Sequence, residues 1–137
     1  MTRVSDRLDR LRLAAGAIAL VLVSIPVAAQ APSLAALDVL KKGAWSFRDR
    51  VTGASRTICV RSGQEFIQLR HSQPGCSRTV VQDGPREVAV QYTCRGNGYG
   101  RTSIRREDAG LVQIRSQGIF NGAPFTLQGE ARYTGSC

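Results

Sequence analysis

The sequence predicts a mainly β protein: a single antiparallel meander sheet of about seven strands, curled or partly barrel-like, with one or two short helices. Three observations support this class. Apolar and polar residues alternate along most of the chain after residue 43, which is the periodicity of a half-buried strand. Turn-forming sequences separate the alternating segments. Four cysteines in a chain of 137 residues favour a small domain cross-linked by disulfides.

The N-terminus has the pattern of an export signal peptide. A net-positive segment, Arg3–Arg12, precedes the apolar run Leu13–Ile25, and small residues lead up to Ala29. Signal peptidases cut after such small residues, so we expect cleavage before Gln30.

Cleavage at this point divides the chain into a signal peptide, residues 1–29, and a single disulfide-linked periplasmic β domain, residues 30–137. The alternative is an uncleaved membrane anchor, although the apolar run is shorter than the ~20 residues that a spanning helix needs. No membrane span is predicted after cleavage, and secretion beyond the outer membrane stays open. The 108 residues that remain are enough for one domain with one core.

Arginine dominates the charge of this predicted domain. The whole chain has a net charge of +9, and removing the four arginines and two aspartates of the signal peptide leaves +7. Such an excess favours anionic partners such as lipid headgroups, acidic polysaccharide or nucleic acid. Because export separates the domain from nucleic acid, the expected partner is an anionic envelope component or another exported protein, and not nucleic acid.

Two short helices are predicted before the main run of strands. Ser33 is placed to cap a helix over Leu34–Lys42. Further along, Ser62–Glu65 forms a capping box, in which the hydroxyl and the carboxylate satisfy each other's backbone donors. The second helix is expected to end near His71, since a Pro-Gly pair follows.

Seven strands follow from the alternation. Gly43–Val51 and Arg56–Arg61 are expected to pair around the turn Thr52-Gly53-Ala54, and five further strands form a meander from Ser77 onward. The turn signals within that meander are Asp83-Gly84-Pro85, Gly96-Asn97-Gly98, Glu107-Asp108-Ala109-Gly110 and Asn121-Gly122.

Two of these turns predict strand registers that agree with each other. We expect a two-residue turn at Asn121-Gly122 and a three-residue turn at Asp108-Ala109-Gly110 with Gly110 left-handed. The facing pairs are then Ser116 with Leu127, Val112 with Ala131, Ile104 with Ile114, and Arg105 with Gln113. Both turns therefore put the apolar residues on one face of the sheet.

A two-residue turn at Asn97-Gly98 would conflict with this arrangement. It would bring the apolar residues of the preceding strand, Tyr92 among them, to the same side as Arg101 and Arg105. A consistent inner face matters more than a dipeptide preference. We therefore expect an odd-length loop or a bulge that places Tyr92 opposite Ile104.

The four cysteines predict two disulfides. If Gly84-Pro85-Arg86 is a three-residue loop, Cys76 lies opposite Cys94, within the Cα range that a disulfide accepts. Cys59 then pairs with Cys137, and this is the pairing that we favour. The sequential pairing of Cys59 with Cys76 and Cys94 with Cys137 stays open, because the second helix can return the chain to its starting point.

No catalytic, cofactor-binding or metal-binding residues are predicted, and we expect a protein that is not an enzyme and needs no cofactor. His71 is the only histidine, no two cysteines stand in a Cys-x-x-Cys spacing, and no Gly-x-Ser-x-Gly is present. The acidic residues of the domain lie mostly beside turns, where they cap backbone donors. The glycine-rich segment Gly96–Gly100 links two strands and opens no helix, so it does not predict a phosphate site.

The outward-facing residues of the meander suggest an anion-binding face. Arg101, Arg105 and Arg115 are its predicted centre, and the alternative is an ordinary solvated face. No aromatic residue is expected among these arginines, which argues further against nucleic acid. The predicted outer face comprises Arg101, Ser103, Arg105, Gln113, Arg115, Gln117, Gln128 and Arg132.

Several short motifs together resemble an exported bacterial family, domain-of-unknown-function family 3617, over about Leu37–Cys137. They are Gly43-Ala44-Trp45, Ile58-Cys59-Val60, Cys76 at the start of a strand, Tyr92-Thr93-Cys94, and Tyr133-Thr134-Gly135-Ser136-Cys137. The resemblance implies a small periplasmic β domain and supplies no catalytic residues.

Two functions fit these observations. The first is a non-catalytic periplasmic binding or envelope-interaction module that uses the arginine face or a cavity inside the sheet. The second is a small accessory or inhibitor protein that acts on another exported protein. An apolar pocket beneath Trp45 and Tyr92 would favour the first, and a flat exposed edge strand or an apolar patch would favour the second.

Overall fold

The computed structural model describes residues 34–137, so Ser33 and the predicted signal peptide lie outside the described residues. The elements begin with helix α1 (Ala35–Asp38), and a single 3₁₀ turn (Gln64–Phe66) lies between the second and third strands. The strands are β1 (Gly43–Asp49), β2 (Ser55–Val60), β3 (Ser77–Asp83), β4 (Glu87–Cys94), β5 (Gly98–Asp108), β6 (Leu111–Phe120) and β7 (Ala123–Gly135).

All seven strands form one antiparallel sheet in the order β2-β1-β7-β6-β5-β4-β3. Strands β3 to β7 make a meander, and β7 then pairs with β1 of the first hairpin. Strands β2 and β3 are the two edges and do not pair with each other, so the sheet is not closed. The predicted fold class, a mainly β protein with one antiparallel sheet of seven strands, is confirmed.

Both helices are shorter than expected. After α1, the Lys41 amide donates to the Ala109 carbonyl at 2.8 Å, which draws the chain away from the helix and onto the sheet. Only half of the Ser62–Glu65 capping box forms. The Ser62 amide donates to the Glu65 carboxylate at 3.2 Å, but the Ser62 hydroxyl accepts from the Gln64 amide at 3.3 Å instead of from the Glu65 amide. The Ile67 carbonyl then accepts from the Thr102 hydroxyl of β5. Because Ile67 is bonded to the sheet, only one 3₁₀ turn forms where a longer helix was predicted.

The turn after β6 is as predicted. Asn121 and Gly122 both have positive φ, 48° and 80°, which is the conformation of a two-residue hairpin turn. Ser116 lies opposite Leu127, as this turn requires.

Two predicted three-residue loops are wrong, although the registers that they implied are right. The Gly84 amide donates to the Glu87 carbonyl, so the turn after β3 has two residues, and a bulge near Val81 restores the pairing of Val80 with Val90. The turn after β5 is likewise only Ala109-Gly110, Gly110 is not left-handed, and a bulge near Glu107 keeps Ile104 opposite Ile114. In both hairpins the bulge supplies the extra residue that we had assigned to the turn.

The loop between β4 and β5 has an odd length, as expected, but it is displaced along the chain. Cys94 pairs with Gly98 across three loop residues, and Tyr92 lies opposite Gly100 instead of Ile104. A Cβ atom on Gly100 would lie 2.6 Å from Cζ of Tyr92. Tyr92 thus lies over a glycine because only a glycine leaves room for its ring.

The core lies on one face of the sheet, called the inner face below. Helix α1 packs against this face, and so do residues 61–76, which are called the covering segment. Trp45 is completely buried and contacts Phe66 of the covering segment edge to face, with ring centroids 5.3 Å apart. Trp45 therefore packs in the hydrophobic core of the inner face.

Two disulfides hold this arrangement together. Cys59 is bonded to Cys137, with Cα atoms 5.9 Å apart, and Cys76 is bonded to Cys94, with Cα atoms 4.3 Å apart. This is the pairing that the hairpin register favours. Within residues 34–137, no helix is long and apolar enough to cross a membrane.

Candidate anion-binding face

The opposite side of the sheet, called the outer face, carries the three predicted arginines. Arg101 and Arg105 point outward from β5, with Ser103 between them, and Arg115 of β6 is paired directly with Ser103. Side chains two residues apart on a strand share a face, so Arg115 lies diagonally between the other two arginines. All three are exposed. The structure therefore brings the predicted residues together.

Two shallow depressions divide these arginines. Arg105 and Arg115 line a depression of about 350 Å³ together with Gln113 and Gln128. Arg101 lines a neighbouring depression of about 430 Å³. Both are open to solvent on a rigid sheet, so the face offers two adjoining subsites rather than one enclosed pocket.

The electrostatic environment differs among the three arginines. Arg105 forms an ion pair with Glu107 at 3.1 Å. Among residues 34–137, neither Arg101 nor Arg115 forms an ion pair. An anion bound at Arg101 or Arg115 would therefore displace only water, whereas one bound at Arg105 would compete with a carboxylate.

A separate charge network borders this face. The Gln113 amide donates to the Glu130 carboxylate at 2.9 Å, and Arg132 and Arg50 contact the same carboxylate. The Gln113 hydrogen bond, reinforced by these guanidinium groups, lowers the pKa of Glu130 below its ordinary value despite slight burial. Within the described part of the chain, six arginines of the face then oppose three carboxylates: Arg48, Arg50, Arg101, Arg105, Arg115 and Arg132 against Glu87, Glu107 and Glu130.

Tyr99 is a residue of this face that the sequence analysis missed, and the expectation of an outer face without aromatics is wrong. Tyr99 is 50% exposed and shares the second depression with Arg101, Gln117 and Pro124. The error came from assigning Gly96–Gly100 to a loop. Alternation with Arg101 across one residue was the available signal for its position.

The single histidine serves the core and not a reactive site. His71 is completely buried, and its Nε2 lies 3.1 Å from the Asn97 carbonyl, which can only accept, so Nε2 carries the donated proton. Its Nδ1 lies 3.0 Å from the Tyr92 hydroxyl. Burial raises the pKa of Tyr92, partly offset by a hydrogen bond with Ser116. The hydrogen bonds of His71 with Tyr92 and Asn97 hold the covering segment against the sheet.

The chain matches no model of a known protein family, no curated protein and no solved structure. The resemblance to domain-of-unknown-function family 3617 stays a prediction.

Proposed function

We propose that this protein is a non-catalytic periplasmic binding module that holds an acidic polysaccharide of the envelope on the outer face of its sheet. The observation that carries the proposal is the convergence of Arg101, Arg105 and Arg115 on one rigid face, where two of them have no ion-pair partner among residues 34–137. Guanidinium groups match carboxylates in geometry as well as in charge.

Tyr99 favours a sugar polymer over a lipid surface. A sugar ring presents a flat C–H face that packs on an aromatic ring, and Tyr99 stands exposed beside Arg101 and Gln117. A lipid surface would instead favour a row of apolar side chains that enter the acyl region. The centre of the outer face, on β5 to β7, instead carries arginine and glutamine side chains: Arg101, Arg105, Gln113, Arg115, Gln117, Gln128 and Arg132.

Export is part of this proposal and is supported by the cysteines. All four cysteines are bonded in two disulfides, and such bonds persist in oxidising compartments. The signal-peptide pattern of residues 1–29 and the family resemblance both favour the periplasm, with cleavage before Gln30.

The test compares two charge-matched triple variants for binding to polygalacturonate. Replacing Arg101, Arg105 and Arg115 by Gln removes the positive charges of the proposed site and should abolish binding. Binding by the wild type should be weak and should fall as salt is added, because at 0.1 M salt ions screen exposed charges that lie more than ~10 Å apart. The control replaces three exposed arginines away from this face, namely Arg61, Arg86 and Arg95.

Equal binding by the first variant and the wild type would refute the proposed site. Equal losses in both variants would show that net charge alone attracts the polymer. Tighter binding to anionic vesicles than to polygalacturonate would redirect the proposal to a membrane surface.

The accessory or inhibitor function stays a second candidate because of β3. This strand is an unpaired edge of the sheet, and Val81 is 48% exposed at its bulge. An edge strand can add a strand from a partner, although a bulge weakens such pairing. Co-purification of a partner from periplasmic extract with the wild type but not with Val81→Lys would distinguish this function from polysaccharide binding.

A further inference from the structure

A cleft on the inner side of the molecule is separate from the arginine face. It has a volume of about 410 Å³ and lies between the covering segment and the β3 edge of the sheet. Its apolar walls come from Leu34 and Ile67 on one side and from Val80 and Val90 on the other. Its volume is within the range of small-molecule sites.

Both ends of this cleft are anchored. At one end, the Ala35 amide donates to the Asp83 carboxylate at 2.9 Å, which attaches the start of α1 to the end of β3. At the other end, Cys76 is bonded to Cys94 of β4. Because the walls are held at both ends, the cleft is preformed, and a ligand can bind without a conformational change that would weaken its affinity.

Arg78 lies at the mouth of the cleft on the inner face, paired with Tyr92. Its guanidinium donates to the amide oxygens of Gln64 and Gln68 at 2.8 to 3.0 Å. These acceptors are neutral, and within residues 34–137 Arg78 forms no ion pair. Two of its five N–H groups have no acceptor in the described part of the chain and can donate to a ligand.

We propose that this cleft binds a free fatty acid, with the carboxylate on Arg78 and the acyl chain between Ile67 and the valines of β3 and β4. A cation held only by neutral groups beside an apolar cleft is complementary to a ligand that joins one anionic group to an apolar chain. The site is distinct from the outer face, so the two proposals stand or fall separately.

Two matched pairs of variants in the full chain test this site, with laurate as the probe and calorimetry as the measurement. Arg78→Gln removes the charge, and Arg86→Gln removes an equal charge from an exposed turn. Val80→Phe fills the cleft, and Val81→Phe adds the same ring at the exposed neighbouring position. Circular dichroism checks that each variant is folded.

We expect one laurate per chain and a loss of affinity of about tenfold to a hundredfold in Arg78→Gln, as hydrogen bonds to charged groups imply. Val80→Phe should lose binding, while Arg86→Gln and Val81→Phe should bind as the wild type does. Dodecanol, which lacks the carboxylate, should bind wild type and Arg78→Gln equally.

Labelling of the wild type with a photoreactive fatty acid gives a second measurement, which needs no variant. Its label should map to the peptide around Pro74–Val80, which lines the cleft. Four results would each overturn the proposal. The wild type takes up no laurate, Arg78→Gln binds laurate with unchanged affinity, or the label maps elsewhere in the chain. The fourth is that the wild type is a dimer that Val80→Phe dissociates, since a second copy would then cover the cleft.

Discussion

The two faces of this sheet differ in how much they contribute to stability. The inner face buries Trp45, Tyr92 and a set of aliphatic residues, and its one histidine is held by hydrogen bonds on both ring nitrogens. The outer face exposes Arg101 and Arg105, and its ion pairs, such as that of Arg105 with Glu107, each contribute little to folding. The proposed polysaccharide site can therefore be altered without loss of the fold, whereas the buried core of the inner face cannot.

Removing disulfides should have the largest effect. Replacing Cys59 and Cys137 by Ser opens a loop with a sequence separation of 78 and should lower the free energy of unfolding by about 4.5 kcal/mol on the chain-entropy relation. The bond between Cys76 and Cys94 closes a separation of only 18, and its loss should cost about 3 kcal/mol. Denaturant unfolding of the two double variants measures both, and an inverted order would show that native contacts outweigh loop entropy.

The next effect tests the fit of the inner face. Gly100→Ala should lower the free energy of unfolding by about 1–3 kcal/mol, because the added methyl group would overlap the Tyr92 ring. Gly84→Ala is a control outside the core, since only the Glu87 carbonyl lies near its Cβ position, at 3.1 Å. A destabilisation no larger than that of the control would mean that Tyr92 has room to move.

Tyr92 itself should make stability depend on pH in alkaline solution. Its pKa is raised by burial, so the unfolded chain loses this proton near pH 10 while the folded chain still holds it. Stability should thus be unaffected below about pH 10 and should fall as the pH rises toward the folded-state pKa. Tyr92→Phe should lose that component of the decline, measured as unfolding midpoints across the alkaline range against the wild type.

The smallest effect is expected on the outer face. The pKa of Glu130 is lowered, so its contribution is present above its ordinary value near 4.5 and is lost as the pH falls through the folded-state pKa. Since the ion pairs of Glu130 with Arg50 and Arg132 lie near the surface, Glu130→Gln should lower the free energy of unfolding by well under ~1 kcal/mol at neutral pH. A loss larger than that of Gly100→Ala would contradict the division between the faces.

Much of the fold was predictable because alternation determines which residues share a face. The pairings of Ile104 with Ile114 and of Val80 with Val90 follow from that rule, and so does the disulfide between Cys76 and Cys94. Alternation is blind to where an extra residue sits, however. A bulge near Val81 and a longer turn give the same faces, so the turn lengths were assigned wrongly.

The remaining differences depend on contacts between distant residues. Tyr92 lies over Gly100 because that glycine offers space, and the second helix stops after one turn because Thr102 takes the Ile67 carbonyl. Neither partner is visible in a local pattern. The positions of the three arginines on the outer face follow from alternation, and so does that of Tyr99 once β5 is known to begin at Gly98. The Arg78 cleft depends on the pairing of β3 with β4 and on the covering segment, which no local pattern shows.

The position of β7 has a consequence for how the molecule is made. This strand lies between β1 and β6, so the first hairpin has no ladder to the meander until the seventh strand has been synthesised. Contacts between segments so far apart in sequence slow folding, because a long loop must close before they form. The sheet can therefore be completed only after β7 has been made, and until then both β1 and β6 lack one of their two neighbouring strands.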